Sequence, residues 1–147
     1  MTWTVLHDAC EHQDTKTMIA RSKCNADEAH NLDDHGSTPL HIACWNNPPL
    51  DAVRALMGAH PQGLASKDVH GDTPLHIAVS NPATSVELVR ALVEECPEAT
   101  NIVNREGLMP LHSACRYSPM NDEIISIILE ANVPAAKHRI KVSAHAI

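Results

Sequence analysis

The chain has no phenylalanine, and its two tryptophans and one tyrosine are the only aromatics among 147 residues. Aromatic side chains usually dominate a thick core, burying about 150–250 Å² each. Here burial must come from Leu, Ile, Val, Met and Ala, which suits small helices stacked closely. Basic residues are also scarce: 11 Lys and Arg face 18 Asp and Glu, for a net charge of −7. That balance excludes a nucleic-acid binder, which needs a basic stripe along its surface. It favours solubility and partners that carry basic residues. Only Lys137, Arg139 and Lys141 cluster, and a solvated tail explains them better than an import signal. No apolar run approaches the ~20 residues of a membrane span. Met1-Thr2-Trp3-Thr4 does not resemble a signal peptide. Five cysteines, an odd number, point to reduced thiols in an intracellular compartment, expected to be the cytoplasm. A nucleophile–base pair, a glycine-rich phosphate loop and an unexplained carboxylate pair are all missing, so no enzyme is expected.

What the chain does have is a repeat. Thr38-Pro39-Leu40-His41-Ile42-Ala43 recurs as Thr73-Pro74-Leu75-His76-Ile77-Ala78 and again as Met109-Pro110-Leu111-His112-Ser113-Ala114. A worn copy, Thr4-Val5-Leu6-His7-Asp8-Ala9, stands at the start. A turn precedes each full copy: Asp33-Asp34-His35-Gly36, Asp68-Val69-His70-Gly71 and Asn104-Arg105-Glu106-Gly107. An apolar run with helical spacing follows each: Leu50, Val53, Leu56, Met57; Val86, Leu88, Val89, Leu92, Val93; Ile124, Ile125, Ile127, Ile128, Leu129. A proline closes each run, at Pro61, Pro97 and Pro134.

The motif has a physical logic. Thr38 and Thr73 are placed as N-caps. Pro39, Pro74 and Pro110 take the first helical position, where the missing N–H is no loss. Leu40, Leu75 and Leu111 begin the buried face. Gly36, Gly71 and Gly107 are expected at positive φ. Met109 replaces the capping Thr, so the fourth copy should lose ~1 kcal/mol of capping.

This unit of turn, helix, bend, helix and loop resembles the ankyrin repeat over about residues 4 to 134. The resemblance implies an all-α solenoid of stacked helix-turn-helix units with protruding turns. Repeats fall at about 4–36, 37–71, 72–107 and 108–134. Residues 135–147 form a C-terminal tail or a truncated further repeat. The first repeat has a polar outer helix around Met18 and Ile19, as a capping repeat should. Departures from the family include a period longer than its ~33 residues. One extra residue falls near Asn47-Pro48-Pro49 and near Asn81-Pro82-Ala83. Another falls where proline, rather than glycine, stops the second helix, near His60-Pro61 and Cys96-Pro97.

The resemblance also assigns the motif histidines His7, His41, His76 and His112 to locking adjacent repeats. His7/Cys10, His41/Cys44 and His112/Cys115 have spacing suited to zinc. Val79 stands at the corresponding site of the third copy, however, so a small apolar core position explains the cysteines better. No metal or cofactor is expected.

In ankyrin solenoids, partners lie across a concave surface of turn tips and first-helix faces. The matching tips here are Asp34, His35 and Ser37; Val69, His70 and Asp72; Arg105, Glu106 and Leu108. The matching helix positions are Glu11 and His12, Trp45 and Asn46, Ser80 and Asn81, and Arg116 and Tyr117. Trp3 matches a last tip position. Trp, Tyr and Arg are enriched in hot spots, and a core that uses no aromatics leaves all three for this surface. The competing reading is packing: Trp3 over an open core end, Trp45 against Pro48-Pro49. The tip histidines His35 and His70 are better read as polar tips than as pH switches. The resulting expectation is a monomeric, non-catalytic module that binds a protein partner, not nucleic acid or membrane. The alternative is the regulatory or substrate-recruiting arm of a larger enzyme or signalling protein.

Overall fold

The computed structural model describes residues 3–117 and 121–131. Pro134, the tail at 135–147 and the cluster Lys137, Arg139 and Lys141 lie outside them. Four pairs of antiparallel helices follow one another: α1 (Val5–Glu11) with α2 (Thr15–Cys24), α3 (Pro39–Asn46) with α4 (Leu50–Ala59), and α5 (Pro74–Ser80) with α6 (Val86–Glu95). The last pair is α7 (Pro110–Tyr117) with α8 over 122–131. Helices α1, α3, α5 and α7 pack in one row, and α2, α4 and α6 in another. The described residues contain no strand.

The hexapeptide starts each short helix in the same way. Thr4, Thr38 and Thr73 accept the backbone N–H of the residue three on, which is the motif histidine. That histidine reaches back, its Nδ1 accepting the N–H of the threonine. The reciprocal pair satisfies two helix-end donors at once. Pro39 and Pro74 occupy the first turn as expected.

Aliphatic residues fill the space between the rows. Leu6, Met18, Val53, Leu56, Leu75, Leu88, Leu92, Ile124 and Ile128 are almost fully buried. The first outer helix buries only Met18 and Ser22, consistent with its polar composition. Two expected core residues depart from the pattern. Leu111 is only half-buried and Cys115 is exposed, whereas Leu40, Leu75, Cys10 and Cys44 are buried. No repeat beyond the fourth covers them among the described residues. Leu129, on the same helix as buried Ile128, is also exposed.

The prolines after the outer helices do more than stop them. Pro61 and Pro97 open 3-10 turns, Pro61–Ala65 and Pro97–Asn101, that bury Leu64 and Ala99. The first repeat forms the equivalent turn, Ala26–His30, without proline. The segments read as loops are therefore a third structural element. A fixed φ near −65° suits the start of a 3-10 turn as well as the end of a helix.

The turn tips are stitched together. Gly36, Gly71 and Gly107 lie at φ of 72°, 76° and 81°. Asp33, Asp68 and Asn104 each accept two turn N–H groups through Oδ1. The N–H of Val69 donates to the carbonyl of His35, and that of Arg105 to the carbonyl of His70, at 2.9 and 3.0 Å. The tips thus form a ladder along one edge.

Candidate functional site

The motif histidines were one candidate for chemistry, and the structure gives three of them, His7, His41 and His76, the task of joining repeats. His7 Nε2 lies 3.3 Å from the carbonyl of Ser37, His41 Nε2 3.0 Å from that of Asp72, and His76 Nε2 2.9 Å from that of Leu108. Each acceptor belongs to the next repeat. Because Nδ1 accepts a backbone N–H, Nε2 carries the proton, which fixes the neutral tautomer. Burial lowers the pKa of all three histidines, in the sense that preserves this arrangement. Both ring nitrogens are committed, so neither is offered to zinc. Burial raises the thiol of Cys10 to about 12 and also raises that of Cys44, against the thiolate a metal requires. Among the described residues the one close group of three possible ligands is Asp8, Glu11 and His12, all exposed.

The aromatic residues behave differently. Trp3, Trp45 and Tyr117 are 49%, 54% and 45% exposed. The Trp3 ring stacks on His7 with centroids 5.3 Å apart, so it covers the motif of the first repeat and still presents a face outward. Trp45 stands in the last turn of α3. It is shared by two adjoining depressions of about 480 and 390 Å³. The first also contains Trp3, Glu11 and His35, and the second Ser80, Glu106 and Tyr117. Ile77 lines both, and Ile42 the first. The short helices and the tips thus bring all three aromatics to one continuous groove with aliphatic residues beneath.

Other expected contact residues divide into two groups. Asp34, His35, Val69, His70, Arg105 and Glu106 are exposed at the tips. Arg116 is exposed as well, with its guanidinium 5.5 Å from the centre of the Tyr117 ring and 3.4 Å from Glu106. Asn46, Ser80 and Asn81 are half-buried and already engaged. Asn46 donates to the carbonyls of Cys10 and Ile42, and Asn81 to that of Trp45, one repeat back. Ser80 donates to the carbonyl of His76 at 2.7 Å. The two asparagines hold successive short helices together through their amide N–H groups. Sequence reasoning missed Asn47, which works similarly. At φ 52° it bonds the carbonyl of Ala83 and the N–H of Ser85 in the next bend. A polar residue ahead of the Pro48-Pro49 stop was the available signal.

A separate depression of about 500 Å³ lies between α6 and α8, lined by Arg90, Glu94, Glu98, Glu130 and aliphatic residues. It contains no aromatic residue. Among the described residues no helix is long and apolar enough to cross a membrane.

Comparison with family models matches residues 23–78 to ankyrin repeats in many copies and residues 70–105 to the ankyrin repeat. No curated protein matches the chain. Ankyrin repeats are in general protein–protein interaction modules and typically non-catalytic. The recurring Thr-Pro-Leu-His motif, its capping boxes and these matches over more than half the sequence place the chain in the ankyrin repeat family.

Proposed function

We propose that this chain is a non-catalytic recognition module that holds a protein partner in the groove along its short helices and turn tips. The observation that carries this reading is the position of the aromatics. A chain whose core uses no Phe, Tyr or Trp leaves all three of its aromatics about half exposed around one groove. Exposed aromatics cost solubility unless covered, and they are over-represented at hot spots. Asp34, His35, Val69, His70, Arg105 and Glu106 form its tip rim, and Arg116 its far end. Asn46, Ser80 and Asn81 support the groove from within the fold.

The test is a capture from cell lysate with the wild-type chain and a Trp45→Ala/Tyr117→Ala variant, matched for helicity. Proteins held by the wild type and lost by the variant are the expected result. Identical capture by both would show the rings to be incidental and overturn the reading.

A further inference from the structure

Resting on that reading of the groove, we propose that the partner segment it takes is cationic: lysine or arginine side chains beside an apolar residue, lying across Trp45. The depressions on both sides of Trp45 are lined by Glu11, Asp33, Asp72 and Glu106, while the arginines Arg105 and Arg116 stand at the rim and at the Tyr117 end. These carboxylates are not equivalent. Asp33 is buried and spends one oxygen on its own turn. Glu11 is exposed on the last turn of α1. Asp72 commits one oxygen to the amide of Asn104 at 2.8 Å. Glu106 meets Arg116 at 3.4 Å with both side chains at least 60% exposed, a pair that an incoming cation displaces easily.

The rings act in the same direction. A half-exposed indole attracts a cation to its face through the negative charge density of the ring. Arg116 beside Tyr117 shows a guanidinium already in that relation at one end of the groove. Ile42 and Ile77 supply the apolar floor between the charged rims. A segment alternating cationic and apolar side chains satisfies all three elements. An acidic segment meets repulsion from the carboxylates and from the ring faces.

The probe is a short fluorescein-labelled peptide of repeated Arg-Leu-Ser, compared by anisotropy with its Glu-Leu-Ser counterpart. The cationic peptide is expected to bind at least about tenfold tighter. Asp72→Asn/Glu106→Gln should weaken it about tenfold, and Trp45→Ala should weaken it as well. Glu94→Gln/Glu95→Gln removes the same charge from α6, away from the groove, and should weaken it less than about twofold. Equal losses from the two carboxylate pairs would reduce the effect to net charge and overturn the inference, as would equal binding of the acidic peptide. Either result leaves the lysate experiment on the rings to stand or fall separately, so the partner's charge and the partner's site are judged apart.

Discussion

The third and fourth copies of the hexapeptide share Pro-Leu-His yet end in different surroundings. His76 is fully buried, accepts the N–H of Thr73 and donates to Leu108 of the following repeat. His112 is exposed, and its Nδ1 accepts the N–H of Met109 within its own turn. The difference shows that the motif begins a helix by itself but is completed by its neighbour. The acceptor for Nε2, the cover over Leu75 and the burial of Val79 all come from the next unit. Stability in such an array accrues at interfaces between repeats, which is the behaviour of a one-dimensional stack.

The turn glycines give the sharpest test of that contrast. A Cβ on Gly71 would lie 2.8 Å from the backbone nitrogen of Arg105 in the next tip, while one on Gly107 meets nothing within 4 Å. Both sites have positive φ, costing ~1–2 kcal/mol for any other residue. Gly71→Ala should therefore destabilise by about 3–4 kcal/mol once the clash is included, and Gly107→Ala by only ~1–2 kcal/mol. Urea unfolding midpoints will show the two separating or coinciding.

The histidines follow. His76→Ala removes two bonds and leaves the buried N–H of Thr73 unpaired, while the carbonyl of Leu108 keeps the N–H of Asn104, for about 2 kcal/mol. His112→Ala should cost less than ~1 kcal/mol, because its surroundings are already open to water. The same logic sets a pH dependence. The folded-state pKa of His7, His41 and His76 lies below the usual 6.5, so the unfolded chain binds more protons just below that value. Their contribution is complete above 6.5 and is lost as pH falls from there toward the lowered folded values. Thermal midpoints should drop on acidification across that window, with a shallower drop in His76→Gln. A smaller gain is expected from Met109→Thr, which restores the missing capping hydroxyl opposite His112. About 1 kcal/mol of added stability, read from the same urea curves, is the expected size.

Much of the fold was legible because a repeat states it several times. The hexapeptide gave the capping threonines and the first-turn prolines, and the turn ahead of it gave the glycines at positive φ. Recurrence at each period also separated the histidines from catalysis. The same argument applied to Asn46 and Asn81, which recur at one motif position, yet their exposed-face register suggested contact residues. Whether a recurring polar side chain faces solvent or bonds across to the preceding helix depends on the stacking distance, which no single repeat encodes. Pro61 and Pro97 misled for a related reason: a residue that ends one helix fits the start of the next turn equally well. The groove was legible as positions, since Trp45 and Tyr117 fell on the short-helix face by count. Trp3 fell there too, by its match to a last tip position, and its stack on His7 is the contact that counting could not supply.

The central claim is that a partner occupies the groove at Tyr117 and Trp45, and a photo-crosslinker tests it most directly. Benzoylphenylalanine in place of Tyr117 keeps an aromatic ring at that site, and the same group in place of Arg54 on α4 reports the other row of helices. Irradiation in lysate should give discrete adducts from position 117 and none from position 54. Adducts from position 54 alone would place the partner on the outer helices and contradict the account.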